Sequence, residues 1–562
     1  MLKEFIKILN KENQLNVLLI LTLYFPLNII EAISLSVIPG FMLFIIDPEK
    51  LYSLIDLRNI FPNLDKVSEK ERLFYASIFL IIVFLLRALF IFFVNYFDHK
   101  TRLKINIINS KKLYSSYLYR PYPFHTKNNS SSLIQNVNDV IKSTNVIFSY
   151  ANIIKDTLLL IFVLILIFKS LDFFYFILLS LIFVPVLALL FFIKNKIKNL
   201  GEIARNFRVA THKSLLESLT SIKFLKVSNT QKDFIQNFEN KLNASQIRDF
   251  KLSIINLLPK SIIEISALLF IVTFIIYNSL ETNTFQSLLP SLSLIVIASI
   301  RIIPSLTAIS ININNIKYNF YTVPKICNEI IYWDENSKVI LNSQTGGLIK
   351  DFQNSLKVQN LSFSYSNDKT LIKNFNLEIN KGSNTVIAGD SGVGKSTLVD
   401  LILGLVNPTK GEIFIDKKNI KNDIFGWRNQ VSFVPQDILL LDTTIKENII
   451  LDFNKQKFDK KNYENALKIS GLHNVLKNLE KGDETTIGSF SSKISGGQKQ
   501  RIGIARAVYL NRPILILDES TNSLNSDAEE QIINNLINSE YTIILISHNL
   551  KIINKFQKIV KL

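Results

Sequence analysis

Six long apolar stretches occupy the first 315 residues, at roughly 15–45, 73–97, 150–170, 172–193, 257–279 and 285–313. Each supplies about 20 residues, the length of one helix across the hydrocarbon of a bilayer. The run from Leu158 to Phe168 has no polar side chain at all. One such helix could be buried in a soluble core, but six in half a chain could not. Residues 1–315 are therefore expected to form an all-α, six-helix transmembrane domain. Composition agrees: charged residues make up 20% of the chain and hydrophobic residues 48%, against about 25% charged in ordinary soluble domains. Disorder is excluded by the same numbers.

Lys and Arg total 64 against 46 acids, a net charge of +18. The excess falls at the start (Lys3, Lys7, Lys11) and in the segments 98–149 and 194–256. Basic connections stay on the cytoplasmic side, so both termini and both long connections are expected there, with 46–72 outside. Nucleic-acid binding would explain the charge but not the spans. The first apolar run is too long for a cleaved signal peptide and reads as a signal anchor. The long connections should carry the helices past the bilayer to tips near 122–130 and 217–226. Pro121 and Pro123 break helix twice in the first of these. Residues 316–354 read as a linker holding Pro324, Gly346, Gly347 and Cys327. A single cysteine excludes a disulfide framework, and nothing near Cys327 in the sequence would activate it.

From about residue 355 the pattern changes to alternating strands and helices with Gly-rich loops, an α/β domain over 355–562. Its strongest motif is Gly389-Asp390-Ser391-Gly392-Val393-Gly394-Lys395-Ser396-Thr397, which fits the phosphate-binding loop G-x-x-x-x-G-K-[ST]. An apolar strand, Thr385–Ala388, precedes it and a helical run from Leu398 follows. Glycines let backbone N–H groups curl around phosphates, and the helix N-terminus adds positive potential. Lys395 should reach the β- and γ-phosphates of ATP, and the Ser396 hydroxyl should ligate Mg2+. The second motif is Ile514-Leu515-Ile516-Leu517-Asp518-Glu519, a buried strand ending in two carboxylates. Asp518 is expected to help hold Mg2+, and Glu519 to orient or polarise the attacking water.

Between these motifs lies Ile494-Ser495-Gly496-Gly497-Gln498-Lys499-Gln500-Arg501. It resembles the signature of ATP-binding cassette proteins, and the order of all the parts matches that family. The resemblance implies further roles. Tyr365 would stack on adenine. Gln436, in Val434-Pro435-Gln436, would sense Mg2+ and contact the membrane domain. His548, after the strand Thr542–Ile546, would contact the γ-phosphate. Ser495, Gly496, Gly497 and Gln498 would close the ATP site of a second copy. With six spans in front, the whole chain resembles an exporter-type half-transporter, an ATP hydrolase coupled to transport and working as a homodimer. Several positions depart from the family pattern: Ile494 for leucine, Asn525 for an aspartate, Ser489 for an acid and Asn549 for an arginine. None belongs to the groups that bind phosphate or water.

The spans also contain Glu31, Arg87, Lys260, Glu264 and Arg301. Ionisable residues in lipid are costly and are functional candidates by default. Arg87, Arg301 and Lys260 would suit an anionic group such as a pyrophosphate; alternatively the cations pair with Glu31 or Glu264. Glu31–Pro39, Leu86–Leu89, Leu258–Glu264 and Arg301–Ser305 resemble the membrane part of lipid-linked oligosaccharide flippases of the PglK type. That resemblance implies ATP-driven flipping of a polyprenyl-pyrophosphate-linked glycan across a bacterial inner membrane, and a short external helix at 50–58. The competing expectations are a general exporter of lipids, drugs or peptides, and a membrane-anchored ATPase that transports nothing. Six spans and two long connections argue against the last.

Overall fold

The computed structural model describes residues 2–46, 68–170, 183–281, 289–343, 347–365, 370–390, 392–452, 458–488 and 494–562. The chain divides into two units, Met1–Arg120 with Lys127–Asn336, and Pro121–Thr126 with Ser337–Leu562.

The first unit is helical because its backbone must satisfy its own hydrogen bonds wherever lipid replaces water. Its helices are α1 (Leu2–Ile8), α2 (Lys11–Ile46), α3 (Glu69–Tyr119), α4 (Tyr122–Lys127), α5 (Ser130–Asn138), α6 (Val140–Ser170), α7 (Phe183–Thr220), α8 (Ile222–Ser228), α9 (Gln231–Glu281), α10 (Leu289–Tyr318) and α11 (Thr322–Ser343). The short helix α4 falls mostly in the second unit. Among the described residues four helical stretches are long and apolar enough to cross a membrane: Lys11–Ile38, Leu73–Tyr119, Ser130–Phe168 and Gln231–Ile276. The expected spans at 172–193 and 285–313 run partly over residues outside the described set; their described parts belong to α7 and α10. The external segment 50–58 lies wholly outside it.

The long helices outrun the bilayer. At 51 residues each, α3 and α9 span about 76 Å at 1.5 Å per residue, more than twice the roughly 30 Å of hydrocarbon. Helix α3 starts at a capping box in which Ser68 and Glu71 satisfy each other's backbone N–H groups. It stops at Arg120, extended at φ −63° and ψ 146°, because Pro121 clashes with a helical predecessor.

The polar extensions are held by buried charge. Asp139 lies between α5 and α6, fully buried, with Gln135 Nε2 and Lys142 Nζ both 2.8 Å from Oδ1. Arg205 Nε of α7 is 3.5 Å from its Oδ2. Arg205 also donates to Asn136 Oδ1 at 2.5 Å, and Asn136 donates to the Tyr117 hydroxyl of α3 at 2.8 Å. At the end of α3, Arg120 pairs with Glu329 of α11 at 2.7 Å and lies 3.2 Å from the Tyr332 ring centroid. Cys327, also on α11, is fully buried, and burial pushes its thiol up to about 12; it is an inert packing residue.

In the second unit, β1 (Ser355–Ser364), β2 (Thr370–Asn380), β4 (Lys410–Ile415) and β5 (Lys418–Asn419) form an antiparallel sheet in the order β2-β1-β4-β5. A parallel sheet runs β11-β3-β10-β9-β6, from β3 (Asn384–Ala388), β6 (Val431–Val434), β9 (Ile514–Asp518), β10 (Thr542–Ile546) and β11 (Lys558–Lys561). A short pair joins β7 (Thr443–Thr444) to β8 (Thr486–Ile487). The central strands β9 and β10 read as nearly unbroken apolar runs because both faces are covered. Alternation sorts them: Ile514, Ile516, Ile544 and Ile546 face the core around the fully buried Trp427. Leu515, Leu517, Ile543 and Leu545 face a second core that includes Ile502 and Ile533.

Replacing Asp139 by Ala strips the buried Arg205 of its carboxylate. Loss of one member of a buried pair costs about 3–5 kcal/mol. Thermal unfolding of the purified variant should show a clearly lowered midpoint, while Asp139→Asn should fall between the two.

Candidate functional site

The site lies at the carboxyl ends of β3, β9 and β10, where open α/β sheets bind ligands. After β3 the chain turns through Gly392 and Gly394 at φ +83° and +109°, conformations that side chains rarely adopt. It then enters the helix Lys395–Ile402. Ser391 lies outside the described residues; Gly389, Asp390, Val393, Ser396 and Thr397 fall in this turn and first helical residues, as the motif requires. Lys395 is 7% exposed. Its ammonium donates to the carbonyls of Gly389 at 2.6 Å and Asp390 at 3.3 Å. The lysine is folded over its own loop, poised where phosphate oxygens would replace those carbonyls.

Strand β9 brings in the carboxylates. Asp518 is buried, with Oδ1 lacking a hydrogen-bond partner among the described residues. Burial first, and then the neighbouring Glu519 charge, push its carboxyl up to about 6, against a hydrogen bond from Ser396. An orphaned buried carboxylate oxygen beside a serine hydroxyl fits a divalent cation, and Ser396, Asp518 and Gln436 are the residues that would hold Mg2+. The cation would neutralise phosphate charge and order the nucleotide's oxygens.

Glu519 sits at φ +46°, a left-handed conformation costing a non-glycine residue about 1–2 kcal/mol. Its N–H donates to the carbonyl of Ile546 on β10 at 3.2 Å. Its carboxylate has three neighbours from different segments: Lys395 Nζ at 3.7 Å, Gln436 Nε2 at 3.1 Å and Asn522 Nδ2 at 3.3 Å. A carboxylate fixed this way, beside the phosphate-loop lysine, is placed to accept a proton from water or to orient it. Asn522 was not singled out from the sequence; its position three residues after Glu519 was the available signal.

Tyr365 is 70% exposed. Its ring stands edge-on to Phe363 at 4.8 Å, and its hydroxyl is 3.3 Å from Thr397 Oγ1. One ring face is thereby left open at the edge of the phosphate loop. His548 follows β10 and is exposed. The next residue, Asn549, donates to Glu529 Oε2 at 2.9 Å, and Glu529 accepts from Thr521 at 2.7 Å. The asparagine thus ties the histidine's loop to the loop after Glu519. Asn525 caps the following helix by accepting from Ala528 N–H.

The signature residues start the helix Gly496–Tyr509. Ser495 and Gln498 form a capping box, with Ser495 N–H to Gln498 Oε1 at 2.8 Å and the return bond at 3.2 Å. A Cβ on Gly497 would lie 3.2 Å from the Ser523 carbonyl, so the helix start packs tightly on the 520–525 loop. Gln500 Oε1 reinforces this by accepting Ser523 N–H at 2.9 Å. Among the described residues, no hydrogen bond joins Ser495–Gln498 to the phosphate loop of the same chain. Ser489 lies outside the described residues.

In the membrane unit, α2, α3, α6 and α10 line an open cavity of about 270 Å³. Its lining includes Glu31, Lys155, Asp156, Arg301 and the amides Asn28, Asn95, Asn152 and Asn312. Arg301 has no ion-pair partner among the described residues. Arg87 is 8% exposed and lies 3.9 Å from Glu31. It therefore serves more as Glu31's counter-ion than as a cavity-lining group. Lys260 does not line this cavity; it is exposed and lies 3.8 Å from Glu264 one turn on.

Residues 372–522 match the ABC transporter family and residues 52–303 match the ABC transporter transmembrane region. The chain belongs to the ABC transporters and has the architecture of an exporter-type half-transporter, a multi-pass membrane protein with one ATP-binding domain. Candidate multidrug export ATP-binding/permease proteins of Staphylococcus aureus strains NCTC 8325 and Mu50 are each 39% identical over 212 residues. That match takes in 37% of this chain and only 36% of each relative. The fold is shared with a bacterial Atm1-family ABC exporter solved with ATP bound, at a TM-score of 0.73 and 19% identity, over 95% of this chain and 93% of that one.

Because the Asp518 carboxyl is pushed up to about 6, a proton competes with the cation below that pH. In the nucleotide-free fold the carboxyl is therefore mostly protonated below about pH 6 and ionised above it, and only the ionised form can ligate the cation. Affinity for Mg2+-nucleotide, titrated with a fluorescent ATP analogue, should be level above about pH 7. Below about pH 6 it should fall by up to tenfold per unit, and Asp518→Asn should flatten the profile.

Proposed function

We propose that two copies of this chain form an ATP-driven exporter whose substrate is an amphipathic lipid with an anionic, sugar-bearing head. A polyprenyl-pyrophosphate-linked oligosaccharide crossing a bacterial inner membrane is the specific candidate. The observation that carries the ATPase part is the Glu519 carboxylate held by Lys395, Gln436 and Asn522. One phosphate loop per chain, with a signature that among the described residues makes no hydrogen bond to it, supports completion of each site by a second copy. Both Glu519 and His548 are present, so each site of a homodimer would be competent. The short helix α8 exposes Ile222, Phe224 and Val227, an apolar tip suited to dock on a nucleotide-binding domain.

The substrate part rests on the membrane cavity. At about 270 Å³ it falls just below the range of drug-sized pockets, roughly 300–1,000 Å³. Its lining is mixed: Leu27, Ile91, Leu159 and Pro304 stand beside four asparagine amides, Arg301 and Lys155, with the carboxylates of Glu31 and Asp156 also facing it. Amides suit sugar hydroxyls, and a guanidinium without an acidic partner suits phosphate oxygens. A lipophilic drug would offer the Arg301 guanidinium no hydrogen-bond acceptor. The names of the S. aureus relatives favour the second reading, a general exporter.

The test is ATP hydrolysis by the purified chain in lipid, with and without a polyprenyl-pyrophosphate oligosaccharide. Stimulation is expected, and Arg301→Ala should lose most of it while basal hydrolysis persists. Activity that ignores this lipid but rises with lipophilic drugs would favour the general exporter.

A further inference from the structure

We propose that α7 and α10 form a binding site for the phosphate of an anionic lipid in the cytoplasmic leaflet, built from Lys194, Lys198 and Lys317. This site is separate from the membrane cavity and does not depend on what is exported.

The convergence of the three lysines has a local cause. A Cβ on Gly201 of α7 would lie 1.8 Å from the carbonyl oxygen of Tyr318 on α10. The two backbones therefore touch at this point, as only glycine permits. Asp249 of α9 fixes the crossing by accepting the Tyr318 hydroxyl and Arg208 Nη1, the latter at 3.2 and 3.3 Å. Lys194 and Lys198, four residues apart, share a face of α7, and Lys317 precedes the contact residue on α10. Its ammonium donates across the helices to the carbonyl of Leu190 at 3.1 Å.

Among the described residues none of the three makes an ion pair. Glu202, four residues after Lys198, is exposed and makes none with it, and Asp249 is already engaged. Burial, and then Lys194 and Lys198, hold the Lys317 ammonium below its usual value. Three partly buried cations with no counter-charge are costly unless an anion bridges them.

The surroundings identify the anion's source. The apolar run of α7 ends at Ile193, immediately before Lys194. Phe191 and Phe192 are 63% and 81% exposed beside it, and Phe320 and Tyr321 are exposed on the α10 side. Lys194 Nζ lies 4.2 Å from the Phe191 ring centroid and Lys198 Nζ 3.9 Å from that of Phe320. Aromatic side chains under basic ones, at the end of an apolar run, mark the level of lipid headgroups. A free phosphate has no use for that apolar rim; a phospholipid does.

The test reconstitutes the full chain from mixed phosphatidylglycerol and phosphatidylcholine vesicles and counts co-purifying lipids by native mass spectrometry. The wild type should enrich phosphatidylglycerol. Enrichment should fall by about fivefold per lysine replaced in Lys317→Gln, Lys198→Gln and the triple variant with Lys194→Gln. Lys196→Gln, an exposed lysine at the same level, should behave as wild type, and excess inorganic phosphate should not displace the lipid. Retained ATP hydrolysis certifies each variant as folded, and the single substitutions stand in should the triple variant fail. Undiminished enrichment in folded variants would overturn the proposal. So would an equal loss in Lys196→Gln, which would mean diffuse charge, or displacement by inorganic phosphate, which would mean a free-anion site.

Discussion

The parallel pairing of β3, β10 and β9 is the constraint on which the chemistry depends. Ile546 of β10 lies opposite Ile387 of β3 and Asp518 of β9. That register sets the phosphate loop, the two carboxylates and the His548 loop at one edge of one sheet. A slip of one residue would exchange the two cores, since alternate residues of each strand serve different faces. The apolar alternation that buries the sheet thus also fixes where Asp518 and Glu519 emerge. The hydrogen bond from Glu519 N–H to Ile546 then draws the strained residue toward the strand that carries the histidine.

The membrane unit is governed by a different cost, that of charge out of water. Several of its buried ions are paired across helices: Asp139 with Arg205, Arg120 with Glu329, Arg87 with Glu31; Asp98 and Asp156 pair within their own helices. Arg301, Lys194, Lys198 and Lys317 make no ion pair among the described residues. Arg301 lines the cavity, Lys194 and Lys198 follow the end of the apolar run of α7, and Lys317 lies near the end of α10. An unpaired cation in such a unit asks for an anion from outside the chain.

Much of this was legible in the sequence, for physical reasons. The phosphate loop and the Asp518–Glu519 strand are read residue by residue because phosphate binding needs particular glycines, a lysine and a hydroxyl at fixed spacing. Helix continuation beyond the bilayer could be read from the polar stretches that follow apolar ones, and the break at Pro121 from proline geometry. Partnership across helices was not legible. Arg87 and Lys260 looked alike as isolated charges, yet one is buried against Glu31 and the other lies exposed beside Glu264. Asn522 and Asn549 matter through hydrogen bonds that only the folded loops create. The lysine trio exists because Gly201 lets two backbones touch, and a lone glycine does not reveal its contact.

In the proposed function, Glu519 is the residue that would turn bound ATP into hydrolysed ATP. The decisive measurement compares Glu519→Gln with the wild type, using nucleotide binding and steady-state hydrolysis on the same reconstituted sample. The account predicts unchanged Mg2+-ATP binding with turnover reduced by about 10²–10⁴, the usual contribution of a positioned general base. Turnover close to wild type, with binding intact, would contradict it.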